Sequence, residues 1–279
     1  MSAVAGTLSR EVQVGAVRLT TLFDGVGAIC ALEEAFSGPA AEEWEPYRDL
    51  YPELFAGSEW RLPVTCTLLR AGGRTMLVDA GAGAPGWWDV WRPELEGCLP
   101  AALRAAGIDA GDIDSVFLTH FDGDHIGWLA DGTTFGHARL LASEEAVAFT
   151  HEHTSREWLR RELEVPAGRV EPVQPGNEVL TGAYVVACPG HHPGHVGLEV
   201  VSNGERALLI ADSVPHAALL DRVDWRFTLE HDVELAAETR ARLVELVADT
   251  DTLVVCGHFP GSGVGRVLHR DGRVIWEEL

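Results

Sequence analysis

The chain contains no lysine: all 21 of its basic residues are arginine, set against 43 Asp and Glu for a formal net charge of -22. A surface this acidic lacks the basic footprint that phosphate backbones and anionic membranes require, so nucleic acid and membrane are excluded as expected partners. Like-charge repulsion that keeps the protein in solution is the plainer meaning of the charge. Cysteine is sparse and odd in number: Cys30, Cys66, Cys98, Cys188 and Cys256, with no CxxC pair. That argues against a disulfide framework and against a thiolate zinc site. "VVACPG" and "LVVCGH" place two of them in apolar runs, where a thiol packs as a small core residue. No window approaches a membrane span, and the N-terminus lacks a basic start followed by an apolar run. The expected location is the cytoplasm.

What is present is ordinary globular material: 279 residues, 46% hydrophobic and 23% charged. That length allows one large domain or two small ones, with a core of useful size. Short apolar runs bounded by Gly, Asp and Asn predict strands: "VQVGAVRLTTLF", "VTCTLLRAGGRTMLVDAG", "DSVFLTH", "ARLLAS", "AYVVACPG", "VGLEVVSNGERALLIAD", "TLVVCGH" and "GRVLHRDGRVIWEE". "AGG", "SNGE" and "RDGR" read as hairpin turns. Helices are predicted over "ELEGCLPAALRAAG", which Pro100 weakens, and over "SEEAVAFTHEHTSREWLRREL", with Ser143 as N-cap. A third falls on "DVELAAETRARLVELVAD", with an apolar stripe of Leu235, Ala236, Leu243, Leu246 and Val247. The order suggests one α/β domain over residues 1–279, layered sheets with outer helices. Residues 24–62 are acidic, aromatic and weakly periodic; they read either as a cap or loop over a site or as a plain surface excursion.

The chemistry concentrates after the strands. "LTHFDGDHIGW" carries His120, Asp122, Asp124 and His125 just past "VFL"; His191, His192 and His195 follow "YVVACPG"; Asp212 follows "ALLIA"; His258 follows "TLVVCG". One His or Asp after a strand is usually a solvated loop residue or a turn cap. Four strand ends that each deliver such a residue can converge on one edge of a sheet, and that pattern marks a metal site.

These residues resemble the metallo-β-lactamase-fold hydrolases, whose signature is His-x-His-x-Asp-His, a "GHTPGH"-like segment, a bridging Asp and a last His. His120, Asp124 and His125 match the first motif, His191 the second in "CPGHHPGH", Asp212 the bridging acid and His258 the last ligand. Asp79 in "MLVDAGAG" matches a position that supports the metal loop from behind. The resemblance covers about residues 62–279. It implies an αββα four-layer sandwich, two mixed β-sheets flanked by helices. "GHFPGSGVGRV" and the long N-terminal region look most like the lactonase branch, although the Tyr that known lactonases carry shortly after the bridging Asp is missing from "ADSVPHA".

The resemblance further implies two divalent metal ions, most simply zinc. His120, Asp122 and His191 would hold one, Asp124, His125 and His258 the other, with Asp212 between them. A metal-bridged hydroxide would then cleave an ester, lactone, thioester or amide of a small molecule, with Asp124 or Asp212 carrying the proton to the leaving group. One position departs: Asp122 stands where the family has its second histidine. The carboxylate makes that site harder and moves its preference toward iron or manganese; alternatively it reaches metal through a water, or is no ligand. The alternative function is accordingly a mono-iron or di-iron non-haem oxygenase or redox enzyme on the same fold, and a non-catalytic binding domain is a third reading. His192 could support the ligands from behind, serve as a ligand itself or sit in solvent, and His195 is read as a supporting residue. Trp87, Trp88, Trp128 and His216 are candidates for the wall of a substrate pocket, against the plainer reading of Trp as packing. A homodimer is open.

Overall fold

The computed structural model describes residues 9–84, 97–163 and 169–279, except for the side chains of residues 158, 161 and 162. Thus Trp87 and Trp88 lie outside the described residues. In chain order the strands begin with β1 (Glu11–Val14), β2 (Val17–Ala31), β3 (Phe36–Ser37), β4 (Phe55–Ala56), β5 (Glu59–Ala71), β6 (Arg74–Val78), β7 (Ser115–Leu118), β8 (Arg139–Ser143) and β9 (Val170–Val173). They continue with β10 (Glu178–Leu180), β11 (Ala183–Ala187), β12 (Val196–Ser202), β13 (Glu205–Leu209), β14 (Arg226–Phe227), β15 (Leu253–Val255), β16 (Val264–Arg270) and β17 (Arg273–Glu278). The helices are α1 (Leu32–Ala35), α2 (Glu45–Leu50), α3 (Leu99–Ala105), α4 (Gly123–Ile126), α5 (Glu144–His153), α6 (Glu157–Leu163) and α7 (Val233–Val247).

Two mixed sheets result, as the resemblance implied. One runs β1-β2-β5-β6-β7-β8-β9, with β4 on β5, and is parallel from β6 to β9. The other runs β10-β11-β12-β13-β15-β16-β17, with one parallel pair, β13 and β15. Alternation along each strand sorts side chains into layers. Leu69, Phe117, Leu141, Leu209 and Val255 point into the core between the sheets. Their neighbours Leu68, Val116, Leu118 and Leu140 face outward under Leu99, Leu103, Ala146, Val147, Leu159 and Leu163 of the helices. On the far side Leu208 and Val254 join Val247 of α7.

The three hairpin turns form as read. Gly72–Gly73, Asn203–Gly204 and Asp271–Gly272 all have positive φ at both central positions, the type I′ geometry that matches strand twist. Ser143 caps α5, its Oγ accepting from Ala146 N at 3.1 Å. The segment after it divides into α5 and α6 rather than one helix. Pro100 does not weaken α3, because it occupies the first turn, where no intrahelical N–H is needed. The stripe on α7 differs from the expected one: Leu246 is 44% exposed, and Thr239 and Arg240 are buried with Ala236 and Val247. Residues 24–31 are no loop; they extend β2, paired with β5 up to Ala31 opposite Glu59. Between them residues 32–58 fold into short elements whose Phe36, Trp44, Tyr47 and Leu54 join Trp225 and Phe227 in a buried aromatic cluster.

Candidate metal centre

The strand ends do converge. His120 follows β7, His191 follows β11, Asp212 follows β13 and His258 follows β15, while α4 turns Asp124 and His125 back toward them. All of these except Asp122 are buried; the Asp122 side chain is 41% exposed, so the cluster opens to solvent there. Asp212 divides the cluster in two. Its Oδ2 lies 4.0 Å from His120 Nε2 and 3.6 Å from His191 Nε2. Its Oδ1 lies 3.2 Å from Nε2 of both His125 and His258. Asp122 Oδ2 is 3.6 Å from Nε2 of His120 and of His191. On the other side Asp124 Oδ2 is 3.4 Å from His258 Nε2 and 3.8 Å from His125 Nε2.

These separations have a physical reading. Two ligand atoms each about 2.0–2.1 Å from one tetrahedral metal stand about 3.3 Å apart. Nε2 of His120, His125 and His191 and Oδ1 of Asp212 are buried without a hydrogen-bond partner. Buried polar atoms are ordinarily satisfied, and a converging set of orphaned ones is what a metal site looks like without its ion. Two of the compact groupings are His120–Asp122–His191 and Asp124–His125–His258, which coincide with the two ligand sets implied by the motifs.

Two of the ring nitrogens that face away from the cluster are held. His125 Nδ1 lies 2.8 Å from Asp79 Oδ2, and His258 Nδ1 lies 2.7 Å from the carbonyl of Pro63. Both contacts favour the tautomer that leaves Nε2 bare for a metal. Asp79 also accepts from Thr119 N at 2.9 Å, and it holds a left-handed backbone with φ 60°. That conformation is tolerated by Asp better than by most residues. Gly127 is required where it is: a Cβ there would lie 2.3 Å from the Ala82 backbone, and its N–H donates to the carbonyl of Gly81 at 2.7 Å. This close approach presses the loop after β6 onto α4.

Charge follows the same geometry. Burial resists ionisation of Asp212, but His258 and His125 outweigh it and hold the carboxyl well below its ordinary value. Partial burial opposes the charge on Asp122 too, and His120 and His191 overcome it, holding the carboxyl below its ordinary value. For His125, His191 and His258 burial favours the neutral ring, yet the surrounding carboxylates raise all three above the usual histidine value. The site is built to hold positive charge.

The remaining candidates are placed as follows. His192 Nε2 is 3.4 Å from Asp122 Oδ1, the oxygen turned away from His120 and His191. His195 is buried behind the cluster, with Nδ1 at 2.8 Å from the carbonyl of Cys188. His216 is not brought to the metal groupings. It is fully buried among Phe36, Trp44 and Phe55, and its Nδ1 accepts from Ala218 N at 3.1 Å. Trp128 donates its indole N–H to Asp24 Oδ1 at 3.1 Å and packs beneath the loop after β6.

Asp24 itself was missed by the sequence reading. It is the extra residue of a bulge in β2, fully buried, accepting from Ala82 N at 2.6 Å and Leu99 N at 2.5 Å. Burial pushes its carboxyl up to about 6 despite these donors. An acid inside the apolar run "TTLFDGVGAI" was the available signal. Arg240 was missed as well: buried on α7, it pairs with the buried Glu230, and the next residues donate from His231 N to His191 O and from Asp232 N to Gly190 O, both 2.9 Å. The pair therefore anchors the segment that carries His191.

A fold of two helix-flanked mixed sheets with clustered His and Asp at one edge is that of a metallo-hydrolase. The family model for the metallo-beta-lactamase superfamily matches residues 60–258, and the chain belongs to that superfamily. It is 31% identical over 222 residues to the "Probable metallo-hydrolase Mb2322c" of Mycobacterium bovis, covering 66% of this chain and 71% of that protein. It is 26% identical over 220 residues to the N-acyl homoserine lactonase of Bacillus thuringiensis, covering 74% and 84%. Among solved structures, AidC, described as a dizinc quorum-quenching lactonase, superposes with a TM-score of 0.83 at 21% identity over 98% of each chain. The protein is an enzyme, a metal-dependent hydrolase by family.

Proposed function

We propose that the protein hydrolyses an ester, lactone or related carbonyl bond of a small molecule, using two metal ions. The observation that carries this is Asp212, whose two oxygens face two separate histidine pairs. His120, Asp122 and His191 would hold one ion and Asp124, His125 and His258 the other, with Asp212 shared. Zinc suits the histidine-rich set, and the dizinc lactonase with the same fold supports it. When bound, the ions supply a water acidified to near neutral pKa and an electrophile for the carbonyl oxygen.

The chain's own groups do the rest. Buried histidines and carboxylates on several strand ends fix the two positions rigidly. Asp124 lies within the cluster at 3.4 Å from His258, where its carboxylate can take a proton and pass it to the leaving group. Asp122 marks the open side, through which a substrate arrives. The net charge of -22 disfavours polyanionic substrates. The grouping of His120 and His191 with the Asp122 carboxylate is also a ligand set for non-haem iron, and this favours an iron enzyme as the second reading.

The test is a panel of lactones, alkyl esters and thioesters assayed with zinc-loaded protein and with the Asp124→Asn variant. The expected result is turnover of at least one carbonyl class and a loss of at least about 10²-fold in kcat in the variant, which removes both a positioned proton carrier and a carboxylate that would hold the second ion. Absence of turnover across the panel, with a coloured, iron-containing protein that consumes oxygen, would replace hydrolysis by the iron reading.

A further inference from the structure

Beside the metal cluster lies a cavity of about 670 Å³ that the mechanism does not use. It is a ligand-sized space. It sits at the same edge of the sandwich, between the start of α5, the segment after β9, the loop that follows β11 and the start of α7. His192 is the shared wall: it lines the cavity and stands 3.4 Å from Asp122 on the cluster side. Gly190 lets this loop lie directly on α7, since a Cβ there would fall 2.3 Å from Ala236 N. The cavity is thus built from packed backbone.

Its chemistry is one-sided. Val173, Pro175, Val196 and Leu235 give it an apolar body. Among the described residues the charged ones that line it, Glu144, Glu145 and Asp232, are all acidic. Glu144 is engaged by Gln174 at 2.7 Å and Asp232 caps α7 by accepting from Leu235 N at 3.0 Å. His195, also in the wall, is buried with Nδ1 bonded to Cys188 O at 2.8 Å. Carboxylates around an apolar body suit a chain that is neutral or tipped with a protonated amine. An anionic tip would lose its hydration and meet the carboxylates of Glu144, Glu145 and Asp232.

We infer that this cavity binds the non-reacting arm of the substrate, and that the arm is an aliphatic chain, uncharged or ending in an ammonium group, not a carboxylate. The inference rests on the hydrolytic reading of the adjacent cluster and adds its substrate class. The test compares 4-nitrophenyl esters of acetic, hexanoic, 6-(dimethylamino)hexanoic and adipic acid (the last as monoester) on the zinc-loaded enzyme. The hexanoate and the dimethylaminohexanoate are expected to exceed the adipate at least tenfold in kcat/KM. Leu235→Trp, which fills the apolar body, should lower the hexanoate-to-acetate ratio of kcat/KM at least fivefold, mainly through KM. Glu145→Lys should bring the adipate to within about threefold of the hexanoate.

A second measurement needs no turnover: saturation-transfer NMR with hexanamide, 6-(dimethylamino)hexanamide and adipic acid monoamide. The first two should show binding that Leu235→Trp abolishes, and the third should show none. That result without hydrolysis of any ester would uphold the cavity and overturn the hydrolytic reading. Ester turnover that ignores the arm, with no amide binding or with all three amides bound alike, would overturn the cavity assignment and leave hydrolysis standing.

Discussion

Asp79→Asn is the sharpest perturbation of the centre, because it changes one proton and almost nothing else. Asn has the same volume and tolerates the left-handed φ of 60° at this position. In the native site Oδ1 accepts from Thr119 N at 2.9 Å and Oδ2 faces His125 Nδ1 at 2.8 Å. An amide has one acceptor and one donor group. If its oxygen keeps Thr119 N, its NH₂ meets His125 Nδ1; the ring must then carry its proton on Nε2, where the metal should bind. If the amide flips, NH₂ meets the N–H of Thr119, donor against donor. Either way a hydrogen bond to a charged group is lost, worth about 1.5–3 kcal/mol. That corresponds to about 10- to 150-fold in affinity, in line with the 10–100-fold typical of such supporting partners. The assay is a competition titration of the metal-free protein with zinc against a chromophoric chelator. The expected result is that one ion, the one that His125 would hold, is weakened at least tenfold, and the one that His120 and His191 would hold less than threefold. Equal affinity for both ions in variant and wild type would refute the role given to Asp79.

Three further outcomes follow from the same geometry. With chelator present, stability should peak near pH 6.5, the ordinary histidine value. Above it, the raised His125, His191 and His258 lose protons that the fold stabilises; below it, burial holds His192 down to about 4, His216 down to about 3 and His195 well below its ordinary value, so the fold resists protonation that the unfolded chain accepts. Thermal melts from pH 5 to 9 check this, and a flat profile would count against it; saturating zinc should remove the decline above pH 6.5. His258→Ala should lower bound metal by about one ion per chain by elemental analysis and abolish turnover, whereas full metal content would mean that the ligand set is misassigned. Glu230→Ala strands a buried guanidinium and should cost about 3–5 kcal/mol in denaturant unfolding; a loss under 1 kcal/mol would show that Arg240 finds water instead.

Much of the sandwich was legible because its strands carry strong local signals: "AGG", "SNGE" and "RDGR" demand positive φ, and apolar runs such as "SVFL" and "ALLIA" have no other use in a chain with few long helices. The short strands β9, β10, β3, β4 and β14 were not legible, since two to four residues with Pro172 or Gly182 nearby show no periodicity and pair only through tertiary context. In the centre, the strand-end rule found the clustered residues because parallel and mixed strands deliver their following residues to one edge. Asp24 and Arg240 escaped it. Both are charged residues buried inside regular elements, where a sequence reading assumes a solvated face, and the partners of Asp24 are distant in the chain. His216 shows the converse: four residues from Asp212 in sequence, it belongs to the aromatic core, because it caps the one-turn helix Ala217–Leu220, all of whose residues are buried in that core.

The central claim is that Asp212 joins two metal positions in a hydrolytic site. The direct measurement is to strip the protein with chelator, add zinc back in steps, and follow bound metal together with hydrolysis of the best substrate from the ester and lactone panel. The expected result is a colourless protein that binds two ions per chain, with turnover returning as the pair is completed. Saturation at no metal, or turnover unchanged by stripping, would contradict it.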